Sequence, residues 1–115
     1  MSLSFACKPF DLDEVVRCGL GLSKSEMRVF SASLRHAEFN ASGLAQRLGL
    51  DRTTVQKAAS KLLAKGLLKR LQRNRDGGGY EYVYAAPSKT VVRERVRVIA
   101  GEWFKAVDAG LEGWP

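Results

Sequence analysis

The chain has 115 residues, enough for one hydrophobic core and too few for two. With 45% hydrophobic and 27% charged residues it has the make-up of a globular protein, not a disordered one. No apolar run approaches the roughly 18–20 residues that span a bilayer, so no membrane segment is expected.

The formal charge is +7, and its placement says more than its size. Residues 1–50 sum to +1 and residues 76–115 to −1, whereas residues 51–75 hold eight basic side chains against the single acid Asp51. A solvated surface mixes signs, whereas a one-sided block of 25 residues makes a local field suited to a polyanion. The start, MSLSFACKPFDLDEVV, lacks the charged head and apolar core of a signal peptide, and a cytoplasmic protein is expected.

Residues 1–10 read as loosely structured, with Pro9 ending any early regularity. Asp11 can cap a short helix, DLDEVVRCG, that stops at Gly19. In LGLSKSEMRVFSASLRHA, Ser23 and Glu26 have the spacing of a capping box, and Met27, Val29, Phe30 and Leu34 form the buried stripe of a helix ending near His36. His36 is expected to interact with the last carbonyls of that helix.

FNASGLAQRLG predicts a shorter helix with Asn40 as cap, Leu44, Ala45 and Leu48 as its stripe, and Gly49 as its stop. Asp51 then caps a helix over 51–65. Its apolar face is Val55, Ala59, Leu62 and Gly66; Thr53, Gln56, Lys57 and Ser60 lie opposite, with Arg52 in the first turn. Two helices joined by a short turn containing Gly form a helix-turn-helix.

Past Gly66 the period changes. LLKRLQR and YEYVYAA read as strands joined by the turn NRDGGG, which makes a basic hairpin. No Gly-Lys-Ser/Thr follows the glycines, so a phosphate loop is not expected. Tyr80, Tyr82 and Tyr84 are expected to line the sheet face against the helices, with stacking on unpaired bases as the alternative. Pro87 and Ser88 open a long terminal helix in which Val92, Val96, Ile99, Trp103, Ala106 and Gly110 step by fours and threes, widened by Val91, Phe104, Val107 and Leu111. So much apolar surface on one helix asks for two partners, its own core and another chain.

The expected architecture is mostly α (α+β). Together LSKSEMRVFSASL, NASGLAQRLGLDRTTVQKAASKLLAKGLLKR and GGGYEYVYAAP resemble winged helix-turn-helix transcription regulators of the MarR and TrmB-like type, above all small archaeal members with only a DNA-binding domain and a dimerising helix. The resemblance divides the chain into an N-terminal extension over 1–19, a DNA-binding domain over 20–87 and a dimerisation helix over 88–115. Gly43 departs from it, standing where the family usually carries a glutamate that completes a capping box. A separate sugar-binding domain of the kind larger relatives carry is not expected from these residues, so the resemblance implies no sugar effector and assigns no small-molecule effector.

The resemblance makes 51–65 the recognition helix of a double-stranded DNA binder. A helix fits the major groove, where base edges are distinguishable. Arg52 is expected to bond guanine, Gln56 adenine, and Thr53 a thymine methyl or a phosphate; Thr54, Lys57, Ser60 and Lys61 are expected on phosphates. Simple first-turn capping by the threonines and a solvated face for Gln56 are the plainer alternatives. Arg73 and Arg75 would form a wing (69–80) that reaches the flanking backbone or minor groove. A homodimer formed through Val92, Val96, Ile99, Trp103 and Val107 would set two recognition helices about 34 Å apart; for Trp103 a place in the chain's own core is the alternative.

Cys7, Cys18 and His36 cannot complete a four-ligand zinc site in one chain, so no metal and no cofactor are expected. A redox switch at Cys7 and Cys18 is the less ordinary reading of two cytosolic thiols. With no nucleophile–base pair, metal spacing or phosphate loop, an enzyme is not expected. The remaining rival is a winged-helix protein-interaction or scaffold module.

Overall fold

The computed structural model describes residues 2–4 and 9–115, with side chains from residue 11 onward. The elements run β1 (Ser2–Ser4), β2 (Pro9–Asp11), α1 (Leu12–Leu20), α2 (Lys24–Ser33), α3 (Ala41–Leu48), α4 (Arg52–Ala64), β3 (Lys69–Asn74), β4 (Tyr80–Ala85) and α5 (Lys89–Glu112). They fall into two compact units, Ser23–Lys89 and Met1–Leu22 with Thr90–Pro115.

The unit Ser23–Lys89 packs three helices and a hairpin around one core. Val29 and Phe30 of α2, Leu44 and Ala45 of α3, and Val55, Ala58, Ala59 and Leu62 of α4 are buried, as are Leu67 and Leu68 after α4 and Val83 and Ala85 on β4. Helix ends follow their residues. The Ser23 hydroxyl accepts the Glu26 N–H at 3.1 Å, as in a capping box, and also donates to the Glu26 carboxylate at 2.7 Å; the Ser23 backbone N–H supplies the reciprocal bond to that carboxylate. Asn40 Oδ1 accepts the Gly43 N–H at 2.7 Å, and a Cβ at Gly43 would lie 2.9 Å from that oxygen. The missing side chain at Gly43 therefore suits a close cap by Asn40. Gly49 ends α3 at φ 65°, in the left-handed region.

Several boundaries differ from expectation. The first ten residues include an antiparallel strand pair, with Ser4 opposite Pro9. Pro9 is tolerated because it is the first residue of its strand, where the lost N–H matters least. Helix α1 continues through Gly19 and ends at Gly21, which takes φ 68°. Asp51 holds the cap position of α4, but its side chain makes no cap hydrogen bond. Gly66 is not on the apolar face of α4, because the helix ends at Ala64 and Gly66 turns the chain at φ 72°.

β3 and β4 pair antiparallel, from Lys69 opposite Ala85 to Asn74 opposite Tyr80. Three consecutive glycines, Gly77, Gly78 and Gly79, take positive φ at the tip, a backbone path that side chains would strain. Phe39 bridges to the free edge of β4 at Tyr84 and stacks on its ring, centroids 5.5 Å apart. Two of the three tyrosines do not pack as expected: Val83 and Ala85 face inward and Tyr84 is half-buried against Phe39, while Tyr80 and Tyr82 are exposed. Alternation alone shows that β4 has two faces; which one is buried depends on what packs beneath it.

In the other unit Gly19 of α1 faces Ile99 of α5, whose Cγ2 lies 3.6 Å from where a Cβ would be. Among the described residues no helix is long and apolar enough to cross a membrane.

Candidate nucleic-acid interface

Helix α4 has two clearly different sides. Val55, Ala58, Ala59 and Leu62 are buried, and Arg52, Thr53, Gln56, Lys57, Ser60 and Lys61 are exposed on the other side, with Thr54 half-buried between them. Every expected contact residue of this helix except Thr54 is thus exposed to solvent. Among the described residues no ion pair holds Arg52 or Lys57. The orientation of α4 rests on its packing against α2 and α3, and α3 is tied in turn to α2 by Arg28, whose Nη2 donates to the Leu48 carbonyl at 2.6 Å.

The C-terminal half of α4 is anchored electrostatically. Glu26, buried at the start of α2, lies 3.5 Å from Lys65 Nζ and 4.0 Å from Lys61 Nζ. Burial pushes the Glu26 carboxyl upward, but the Ser23 hydroxyl and backbone N–H, with Lys65 and Lys61, outweigh it and hold it below the ordinary glutamate range. Lys61 therefore shares its charge with an internal partner while its side chain stays largely in solvent.

The wing arginines are paired as well. Glu38, in the α2–α3 connection, accepts from Arg73 Nε at 3.0 Å and Nη2 at 2.9 Å. Glu81 on β4 lies 3.6 Å from Arg75 Nη2 and accepts a 3.5 Å bond from Asn40. These acids lie outside residues 51–75, so a charge sum along the chain misses them. Spatial charge balance is decided by the fold, and the free positive surface is smaller than the +7 block suggests. Among the described residues no ion pair holds Arg70; its guanidinium lies over the Tyr82 ring, 4.4 Å from the centroid.

His36 is not at a helix end, because α2 stops at Ser33; Arg47 Nη1 lies 3.3 Å from each of its ring nitrogens. Among the described residues no group of three or more His, Cys, Asp and Glu side chains is placed to hold a metal ion. Cys18 is a free, exposed thiol on α1, and Cys7 lies outside the described residues. On α5, Val92 is buried, Val96 and Ile99 are partly covered, and Trp103 and Val107 are exposed together with Phe104 and Leu111. With 60% of its surface in solvent, Trp103 is not a core residue of the single chain.

Three helices and a two-stranded hairpin, with the third helix turning a polar, cationic side to solvent, define a winged helix-turn-helix protein. The profile described as sugar-specific transcriptional regulator TrmB matches residues 16–89. MJ1082, an uncharacterised protein of Methanocaldococcus jannaschii, is 34% identical over 90% of this chain and 86% of its own length. The solved structure of a possible transcriptional regulator from Methanosarcina mazei Go1 superposes with a TM-score of 0.86 and 34% identity, covering 99% of this chain and 97% of that one. A MarR-family transcriptional regulator from Rhodococcus sp. RHA1 shares the fold at a TM-score of 0.50 and 21% identity, over 87% of this chain and 79% of that one. The chain belongs to the TrmB family of transcriptional regulators, and it is not an enzyme.

Proposed function

We propose that the protein regulates transcription as a homodimer that binds double-stranded DNA with sequence preference, placing α4 in the major groove. The observation that carries this reading is the solvent face of α4, where Arg52, Thr53, Gln56 and Lys57 stand together and, among the described residues, no ion pair engages either cation. Arg52 and Gln56 have the donors and acceptors to read guanine and adenine edges, and Thr53 can meet a thymine methyl. Lys57, Ser60, Lys61 and Thr54 then serve the phosphates, which fix register without reading sequence. In the wing, Arg73 and Arg75 reach phosphate by exchanging Glu38 and Glu81 for it. In this reading residues 20–87 are the DNA-binding domain and 88–115 the dimerisation helix, with Trp103 and Val107 at the centre of the shared face.

Titration of a mixed-sequence duplex at several salt concentrations tests the proposal. Counterion release makes log K fall linearly with log salt at a slope of roughly −0.9 per phosphate neutralised. A steep slope supports duplex binding. A flat response, or no binding at low salt, moves the protein to the class of winged-helix interaction modules.

A further inference from the structure

The wing has two faces of opposite character, and only one of them is accounted for by packing or duplex binding. The inner face holds Leu71, Val83 and Ala85 with the carboxylate-paired Arg73. The cross-strand pairs Arg70–Tyr84, Gln72–Tyr82 and Asn74–Tyr80 make up the outer face, which carries no acid along its length. Tyr80 and Tyr82 keep 54% and 43% of their surface in solvent and meet edge to face at 5.6 Å. Arg70 lies over the Tyr82 ring, and the Phe39–Tyr84 stack continues the aromatic row toward the core. The hairpin is already anchored through Val83 and Ala85, so these two exposed rings are not needed to hold it to the helices.

We infer that the outer face of the wing is a binding platform for single-stranded nucleic acid, on which unpaired bases stack against Tyr80 and Tyr82 while Arg70 meets the backbone. The chemistry selects this occupant. Exposed aromatic faces beside a cation, with amide side chains and no carboxylate, match a polyanion that carries flat apolar rings. Duplex DNA hides the faces of its bases, so this platform is unused when α4 occupies a groove, and the inference stands whether or not the duplex reading holds. Gln72 and Asn74 offer hydrogen bonds to base edges without demanding one base, so weak sequence preference is expected.

Fluorescence anisotropy with labelled 12-mers of thymidylate, uridylate and an abasic deoxyribose-phosphate backbone tests this on the full chain. The wild type is expected to bind both base-bearing oligomers at low salt, and the abasic one about tenfold or more weakly, in line with stacking contributions per base. The double substitution Tyr80→Leu, Tyr82→Leu keeps apolar, strand-compatible side chains and should lose about tenfold or more on thymidylate. Tyr82→Phe should retain binding. Equal affinity for the abasic oligomer, or undiminished thymidylate binding by a leucine double variant that still melts cooperatively, overturns the inference. If that variant does not fold, the abasic comparison on the wild type decides. Arg52→Ala separates the two functions: it should weaken selective duplex binding and leave thymidylate binding unchanged.

Discussion

Glu38 Oε2 accepts both Arg73 Nε and Arg73 Nη2, at 3.0 and 2.9 Å, tying the wing to the connection between α2 and α3. Both side chains are partly exposed, so the pair is worth at most about 1 kcal/mol to stability. In the proposed complex its larger consequence concerns binding, since there Arg73 exchanges Glu38 for a phosphate. Glu38→Gln is therefore expected to tighten low-salt duplex binding by about two- to fivefold, the equivalent of an exposed ion pair. Arg73→Gln should cancel that gain. Weaker binding by Glu38→Gln would instead mean that the carboxylate aims the arginine at the DNA.

Glu26 makes the stability of the helix-turn-helix depend on pH. Its folded pKa is depressed. Its stabilising contribution is therefore complete above the unfolded glutamate value of about 4.3 and is lost as pH falls through the lower folded value. Thermal melts of wild type and Glu26→Gln between about pH 7 and 3 check this: the two should differ most at neutral pH and converge in acid. A gap that stays constant with pH would show that the carboxylate charge is not what matters.

Ser23→Ala removes both hydroxyl bonds to Glu26 at once, leaving the backbone N–H in place, and should cost about 1 kcal/mol in chemical denaturation. Because Ser23 and Glu26 share these bonds, the double variant should lose less than the two single losses added together. Full additivity would show that the two residues act separately.

On α4, Arg52→Ala should relax base preference at one position of a selected site by about 1–3 kcal/mol, while Lys57→Ala should weaken all sequences alike and reduce the salt slope by about one. Selection of bound fragments followed by competition titrations measures both. Identical behaviour of the two variants would refute the split between a base-reading residue and a phosphate contact.

If the proposed homodimer forms through the exposed row Trp103, Phe104, Val107 and Leu111 on α5, Trp103→Glu shifts sedimentation from dimer to monomer. Because Trp103 is 60% exposed in the single chain, concentration-independent stability should change little. A variant that stays dimeric would remove this row from the interface.

Much of this protein could be read from local chemistry. Ser23 with Glu26, Asn40, Gly49 and the alternation over 80–85 each encode their element through contacts a few residues apart, and the apolar spacing of Val55, Ala59 and Leu62 already turns Arg52, Gln56 and Lys57 outward. Other features needed the folded chain. Gly19 and Gly21 are equally plausible helix ends by residue type, and only the backbone path selects Gly21. The face of β4 that goes inward was settled by the core beneath it, which took Val83 and Ala85 and left Tyr80 and Tyr82 outside.

Charge shows the division most clearly. The positions of the cations along the chain, and hence a protein suited to a polyanion, were determined by residue order alone. Which cations remain unpaired was decided by tertiary structure, because Glu26 meets Lys61 and Lys65 across 35 or more residues, and Glu38 likewise meets Arg73. Coulomb interactions act through space and fall off over a few ångströms to a Debye length, so sequence distance carries almost no information about them.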